Sequence, residues 1–323
     1  MLAIPLGPGP EFDRIRAIAE RLGAAAGALG DDCAAIPEGP GQLVVSTDLS
    51  IEGVHFRREW ITDEEIGWRS AAGALSDLAA AGARPVGLLV ALAVPLNAGE
   101  TADRIMDGVG ALVWECGGVV LGGDLSSGPV ISLAVTVLGR AERPVGRRGG
   151  SPGDGLWVTG VLGGSRAAVE SWRAGHPVLA AARDAFARPL PRLAAGQWLA
   201  AHGATALIDL SDGLAGDVRH LAAASGTGAE VDLVAVPVHP AVVAAASLTG
   251  ERPEVFAARG GEDYELLVAM PARFGDDDAL RFARDCGLPL TRIGQLTIGA
   301  EVLFRLGEER FALSGFDHFA EGR

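Results

Sequence analysis

Six aspartates stand where a carboxylate can do more than keep a surface wet: Asp32, Asp48, Asp77, Asp124, Asp209 and Asp212. The clearest setting is Leu43 to Phe56, LVVSTDLSIEGVHF, where an apolar β-like run passes abruptly into Ser46, Thr47 and Asp48. Two hydroxyls and a carboxylate at the end of a strand are oxygen ligands, the kind that hard divalent cations take. Open α/β sheets bind ligands beyond the carboxyl ends of their strands. The pattern returns where Val119–Leu121 leads into Gly122-Gly123-Asp124, and where Ala206–Ile208 leads into Asp209-Leu210-Ser211-Asp212. Asp32 follows Gly30, and Asp77 lies among Leu75, Leu78, Ala79 and Ala80, where solvation is poor. Taken singly, each acid reads as a solvated or structural residue rather than a functional one. Taken together, converging carboxylates would repel one another and raise their pKa values. Bound Mg²⁺ removes that penalty and typically sits between carboxylates and substrate phosphates. Several carboxylates beside an anionic substrate suggest more than one metal ion, and the matching chemistry is phosphoryl transfer.

Other polar candidates carry less weight. Arg147 and Arg148 occupy a Gly-rich stretch that suits a phosphate clamp and equally a solvated linker. Gly163-Gly164-Ser165 opens a helix whose free amides suit an anion, although many helices simply begin that way. His55 reads as a surface residue, and Glu262-Asp263 as a polar turn before a strand from Tyr264 to Met270. His176, His202, His220 and His239 show no ligand spacing.

These residues need elements to hold them. Periodicity predicts helices over Glu11–Leu22, Asp63–Ala81 with Thr62 as N-cap, and Glu100–Glu115. Val86–Val94 reads as a buried strand, and Gly82 as the C-cap of the helix before it. The Arg-, Gly- and Pro-rich stretch from Arg140 to Gly155 reads as a domain boundary. Two domains are therefore expected, residues 1–140 and 141–323. After the boundary come a strand at Leu156–Thr159 and helices near Val178–Ala187 and Pro191–Ala201. The helix from Leu214 follows, with Ser211 or Asp212 as its cap. Alternating strands and helices in both halves predict an α/β fold, or α+β layers.

Composition excludes several classes. The chain has 323 residues and a formal net charge of −14, so nucleic acid is not an expected partner. All 27 basic residues are arginine, which rules out a Walker A loop and Schiff-base chemistry. Cys33, Cys116 and Cys286 make neither a disulfide framework nor a zinc pattern, so a reduced cytoplasm is expected. No apolar run is long enough to span a bilayer, and no secretory leader is apparent.

At this level the chain resembles the thiamine-monophosphate kinases. The motifs run in order along nearly its whole length: GDDCA (Gly30–Ala34), STDxxxEGVHF (Ser46–Phe56), LSDLAAAGARP (Leu75–Pro85) and GGD (Gly122–Asp124). They continue with PGD and a following WVTG (Pro152–Gly160), IDLSDGL (Ile208–Leu214), GGEDYEL (Gly260–Leu266) and GFDHF (Gly315–Phe319). The resemblance implies transfer of the ATP γ-phosphoryl group to thiamine monophosphate, giving thiamine diphosphate, without a phosphoenzyme. It implies the two-domain aminoimidazole ribonucleotide synthetase-like fold, in which an N-terminal ATP- and Mg²⁺-binding domain dimerises through its sheet and a C-terminal α/β domain completes the active site. By motif, Asp32, Ser46, Thr47, Asp48, Asp77, Asp124, Asp209 and Asp212 are expected to hold Mg²⁺, with Asp48, Asp124 and Asp212 central to catalysis. Gly123, Asp124, Arg147 and Ser211 are expected at ATP, with Arg147 and Arg148 competing for one role. His55, Glu262 and Phe316 are expected at the thiamine phosphate. Related ATP-using enzymes fit less well. Selenophosphate synthetases are expected to need a Lys and a reactive Cys near the N-terminus, and hydrogenase-maturation carriers end in Cys, whereas this sequence ends Glu321-Gly322-Arg323.

Overall fold

The computed structural model describes residues 10–26, 36 and 38–316. Asp32, the GDDCA motif and the Asp317-His318-Phe319 tail lie outside the described residues. The chain divides into two units. One comprises the chain up to Leu78, Ala83–Glu142 and Ala187–Pro189; the other comprises Ala79–Gly82, Arg143–Phe186 and the chain from Leu190 onward.

The first unit carries α1 (Pro10–Leu22), β1 (Gln42–Ile51), most of α2 (Asp63–Ala80), β2 (Arg84–Val94), α3 (Thr101–Glu115), β3 (Val119–Ser127) and β4 (Ser132–Ala141). Its four-stranded sheet has the order β1-β4-β2-β3, antiparallel except for the parallel β2–β3 pair. One face is a core: Leu88, Val90, Leu92 and Val94 of β2 and Leu133, Val135 and Val137 of β4 are buried, as are Ile105, Val109 and Leu112 of α3. On β1 the apolar residues Leu43, Val45 and Leu49 remain 47%, 66% and 53% exposed.

Local chemistry explains where α2 begins. Thr62 Oγ1 accepts from the Glu65 amide at 3.3 Å, and the Glu65 carboxylate accepts from the Thr62 amide at 2.9 Å. This reciprocal capping box satisfies two of the helix's orphan donors. Asp63 then ties α2 to α3: its buried carboxylate accepts from Thr101 Oγ1 at 3.0 Å and from Arg104 Nη2 at 2.6 Å. The two helices approach backbone to backbone. A Cβ on Gly67 would lie 1.9 Å from the Ile105 carbonyl oxygen, and one on Gly108 would lie 1.8 Å from that of Glu64.

Two strand ends fall elsewhere than the sequence suggests. β1 does not stop at Asp48 but runs on to Ile51, paired residue by residue with β4 from Gln42↔Ala141 to Ile51↔Ser132. β3 likewise continues through Asp124 to Ser127 beside β2. Ladder bonds are made by the backbone, so polar side chains do not end a strand while a partner remains. Of these three acids, Asp48, Asp124 and Asp209, Asp209 alone closes its strand.

The second unit holds β5 (Gly155–Thr159), α4 (Gly164–Arg173), α5 (Ala180–Ala187), α6 (Leu193–Ala201), β6 (Ala206–Asp209), α7 (Leu214–Ser225), β7 (Gly228–Asp232), α8 (Val242–Thr249), α9 (Pro253–Ala258), β8 (Leu266–Met270), α10 (Asp276–Cys286), β9 (Leu290–Thr297), β10 (Val302–Leu306) and β11 (Glu309–Phe311). Its seven-stranded mixed sheet has the order β11-β10-β7-β9-β5-β8-β6, with β10 and β7 parallel. β5, β6 and β8 are buried at every residue. β8 starts at Leu266, two residues later than Tyr264, because Glu262 and Tyr264 have φ of 62° and 51° and cannot continue a strand. No helix among the described residues is long and apolar enough to cross a membrane.

Gly108→Ala tests the contact between α2 and α3. Alanine favours a helix by about 1 kcal/mol over glycine, but forcing the helices apart costs about 3 kcal/mol. The urea midpoint is expected to fall with an unchanged m-value; an unchanged midpoint would show that the helices give way freely.

Candidate functional site

In the first unit the site begins with strand alternation. Successive side chains of β1 point to opposite faces. Ser46 faces α2, where its Oγ donates to Asp77 Oδ2 at 2.5 Å. Asp48, two residues on, shares that face. Thr47 points the other way, and its Oγ1 lies 3.0 Å from Thr136 Oγ1. Asp48 keeps accessible surface, so water still reaches it. Partial burial and, after it, the Asp77 charge push its pKa up to about 6. Two carboxylates and a hydroxyl crowded in this way are the donor set that a hard cation relieves.

Asp124 is not beside this group. It lies on β3, at the opposite edge of the sheet from β1, with β4 and β2 between. At the usual strand spacing that is an arc of about 14 Å. Gly123 is required where it stands: a Cβ there would lie 1.9 Å from the Val90 carbonyl oxygen on β2. The EGVHF turn is largely structural. Glu52 Oε2 accepts from the Ile131 amide at 3.0 Å, and Phe56 is buried. His55 Nδ1 accepts from the Ile51 amide at 3.1 Å, which assigns the neutral ring's proton to Nε2.

The second unit gathers more. Asp209 ends β6, and Leu210-Ser211-Asp212 form the loop into α7. That loop is joined to the Gly260–Tyr264 loop through main chain: the Glu262 amide donates to the Ser211 carbonyl at 2.7 Å and the Tyr264 amide to that of Leu210 at 3.0 Å. The Phe316 amide donates to the Asp212 carbonyl at 2.9 Å. Ser211, Asp212, Glu262 and Phe316, far apart in sequence, thus hang from one backbone knot. Phe316 is 44% exposed. Neither Ser211 nor Asp212 caps α7. The cap is Gly213, at φ 91°, with no side-chain bond. A side chain there would meet the Gly260 carbonyl oxygen at 2.8 Å.

Two acids that sequence reasoning left aside are central to the knot. Asp217, in the first turn of α7, is 2% exposed and accepts from the Asp212 amide at 3.2 Å. Burial, and then the charges of Asp209 and Asp212, push its pKa up to about 8; that amide and the Arg147 charge work against the rise. Arg147 is thereby the member of the Arg pair whose charge is felt at this cluster. Asp263 is the other. Both its carboxylate oxygens accept from the Gly163 amide, at 3.0 and 2.9 Å, and the Ser165 amide adds a bond. The amides that open α4 are therefore taken by the protein's own carboxylate. A spacing of five residues after Asp212, and adjacency to Glu262, were the available signals. The Asp154 of PGD is structural, accepting from Thr205 Oγ1 at 2.7 Å and from the Ser151 amide at 2.9 Å.

Among the described residues, no group of three or more His, Cys, Asp or Glu side chains is placed to hold a metal ion unaided.

The two sheet units correspond to the AIR synthase related proteins: the N-terminal domain of that family matches residues 30–141 and the C-terminal domain residues 151–305. The chain thus has the two-domain α/β architecture of that group. The thiamine-monophosphate kinase of Escherichia coli (strain K12) is 36% identical over 96% of this chain and 96% of its own. The crystal structure of thiamine-monophosphate kinase from Stenotrophomonas maltophilia K279a aligns with a TM-score of 0.80 at 36% identity, over 93% of this chain and 96% of that one. The structure of AaThiL complexed with AMPPCP and TMP aligns with a TM-score of 0.77 at 30% identity, over 96% and 97%. The chain belongs to the thiamine-monophosphate kinase family.

The Asp217 carboxyl yields a pH signature. Between about pH 4 and pH 8 the folded, metal-free protein holds a proton that the unfolded chain has released, so stability falls as pH rises through that window. Urea titrations at several pH values are expected to show this slope, and Asp217→Asn is expected to reduce it, most clearly between about pH 6 and pH 8, above the range of Asp48. A slope unaltered by the substitution would assign it to other groups.

Proposed function

We infer that this chain transfers the γ-phosphoryl group of ATP to the phosphate of thiamine monophosphate, giving thiamine diphosphate and ADP, the last step in making that diphosphate. The observation that carries the reading is the main-chain knot that joins Ser211 and Asp212 to Glu262 and Phe316. It unites the positions that the family's motifs assign to nucleotide with those assigned to thiamine phosphate. The acceptor is a phosphate oxygen already ionised near neutral pH, so the in-line transfer requires no general base. The residues chiefly position two anions and offset their repulsion.

Ser46, Asp48 and Asp77 suit a divalent cation by their oxygen donors and by the crowding that raises Asp48. The family's motifs also assign Asp32, Thr47, Asp124, Asp209 and Asp212 to Mg²⁺. When bound, Mg²⁺ ions would bridge phosphate oxygens and neutralise charge that develops in the transfer. Gly123, Asp124, Ser211 and Arg147 are assigned to ATP. Arg147 offers a guanidinium fork for phosphate. His55, Glu262 and Phe316 are assigned to thiamine monophosphate: Nε2–H of His55 suits a phosphate oxygen, and the exposed Phe316 ring suits stacking on a heterocycle.

We further propose a homodimer built on the first unit's sheet. Leu43, Val45 and Leu49 are exposed apolar residues on a strand face turned away from α2, which a second copy would cover.

The direct test supplies ATP, Mg²⁺ and thiamine monophosphate and measures thiamine diphosphate, with thiamine as the negative control. Asp48→Asn and Asp212→Asn are each expected to lower turnover by at least about 100-fold with the fold retained. Near-normal turnover in either would remove that residue from the reacting site. For the dimer, Val45→Glu with Leu49→Glu is expected to leave monomers in sedimentation. A dimer that persists would place the interface elsewhere.

A further inference from the structure

The family motif GGEDYEL contains an acid that the reaction itself leaves unused. Among the described residues, Glu262 and Tyr264 are the only non-glycine residues with positive φ, 62° and 51°. Left-handed backbone is uncommon outside glycine and persists only where surroundings over-determine it. Two such residues flank Asp263. The residue between them turns its carboxylate inward, onto the Gly163 and Ser165 amides at the start of α4. Gly163 has φ 87°, and a Cβ there would lie 2.8 Å from Val242 and 2.9 Å from Ala257. The amide is therefore presented by a backbone turn that only glycine permits. Burial pushes the Asp263 carboxyl well above the usual carboxylate range against the opposing pull of the Gly163 and Ser165 amides, and its oxygens accept from the Gly163 amide in either protonation state.

The start of β8 has anchors of its own in Glu265. Glu265 pairs with Arg192 at 2.6 and 2.9 Å and accepts from Thr159 Oγ1 at 2.6 Å. What Asp263 alone can determine is the backbone on either side of it. Its neighbour Glu262 donates its amide to Ser211, and Tyr264 donates to Leu210.

We propose that Asp263 is a positioning residue: its carboxyl group, clamped on the start of α4, holds Glu262 in the left-handed conformation that aims its side chain at the thiamine phosphate. The inference rests on the proposed assignment of Glu262 to that substrate. Asp263 acts only through its neighbour and touches neither substrate.

Asp263→Asn keeps the volume but turns a donating NH₂ towards an amide donor. In this variant KM for thiamine monophosphate is expected to rise by about tenfold while kcat changes much less. Adding Glu262→Gln to Asp263→Asn should then cost little more than either alone, because both remove one interaction. Full additivity of the two effects, or an unchanged KM, would overturn the proposal. Hydrogen exchange reads the clamp without turnover. The Glu262 and Tyr264 amides are expected to lose protection in Asp263→Asn, and retained protection would overturn the clamp even if the wild type proved not to act on thiamine monophosphate. Should the variant not fold, the wild type still decides. Its Gly163 and Glu262 amides are expected to exchange as slowly as those inside β8, and exchange at the rate of open loops would refute the anchor.

Discussion

The site in the second unit depends on three main-chain hydrogen bonds between two loops. Glu262 and Tyr264 donate to Ser211 and Leu210, and Leu210 donates in return to Glu265 at 2.8 Å. Partly buried backbone groups need partners, and here each loop serves as the other's. Such proximity excludes side chains at the crossing. A Cβ at Gly261 would lie 2.7 Å from the Ser211 carbonyl oxygen, and one at Gly213 as close to Gly260. The glycines of DLSDG and GGED are thus one requirement seen from two sides. Two distant motifs spell a single piece of structure.

Charge sets the second constraint. Asp209 and Asp212 raise the proton affinity of Asp217 in one unit, and Asp48 responds to Asp77 in the other. A protein that only needed to fold would gain by replacing such acids with apolar residues. Their retention makes sense if the repulsion is relieved by cations and polyphosphate. Other buried acids have local partners: Asp63 meets Arg104, Glu265 meets Arg192, and Asp154 accepts from Thr205 and the Ser151 amide.

Much of this was legible in the chain, and the exceptions are instructive. Thr62-x-x-Glu65 marked the start of α2 because a capping box is a contact between near neighbours. The acids of the site were visible as carboxylates in unusual company. The ends of β1 and β3 were misplaced, since whether Asp48 or Asp124 stops a strand depends on β4 and β2 lying alongside. Nothing local marks Asp217, and Asp263 reads as part of a polar turn. Their burial follows from packing against partners, including Gly163, a hundred residues from Asp263.

Residue identity alone determined the inventory: oxygen ligands without lysine, glycines where side chains cannot fit, and motifs in one family's order. Those properties are local, carried by each residue whatever surrounds it. Which face of β1 meets α2, and so why Ser46 but not Thr47 reaches Asp77, was decided only when the strand was paired and covered. The same holds for the anion that α4 receives. Glycines and free amides announced a binding place, but only the folded chain could fill it with its own carboxylate, because that contact joins segments that sequence leaves far apart.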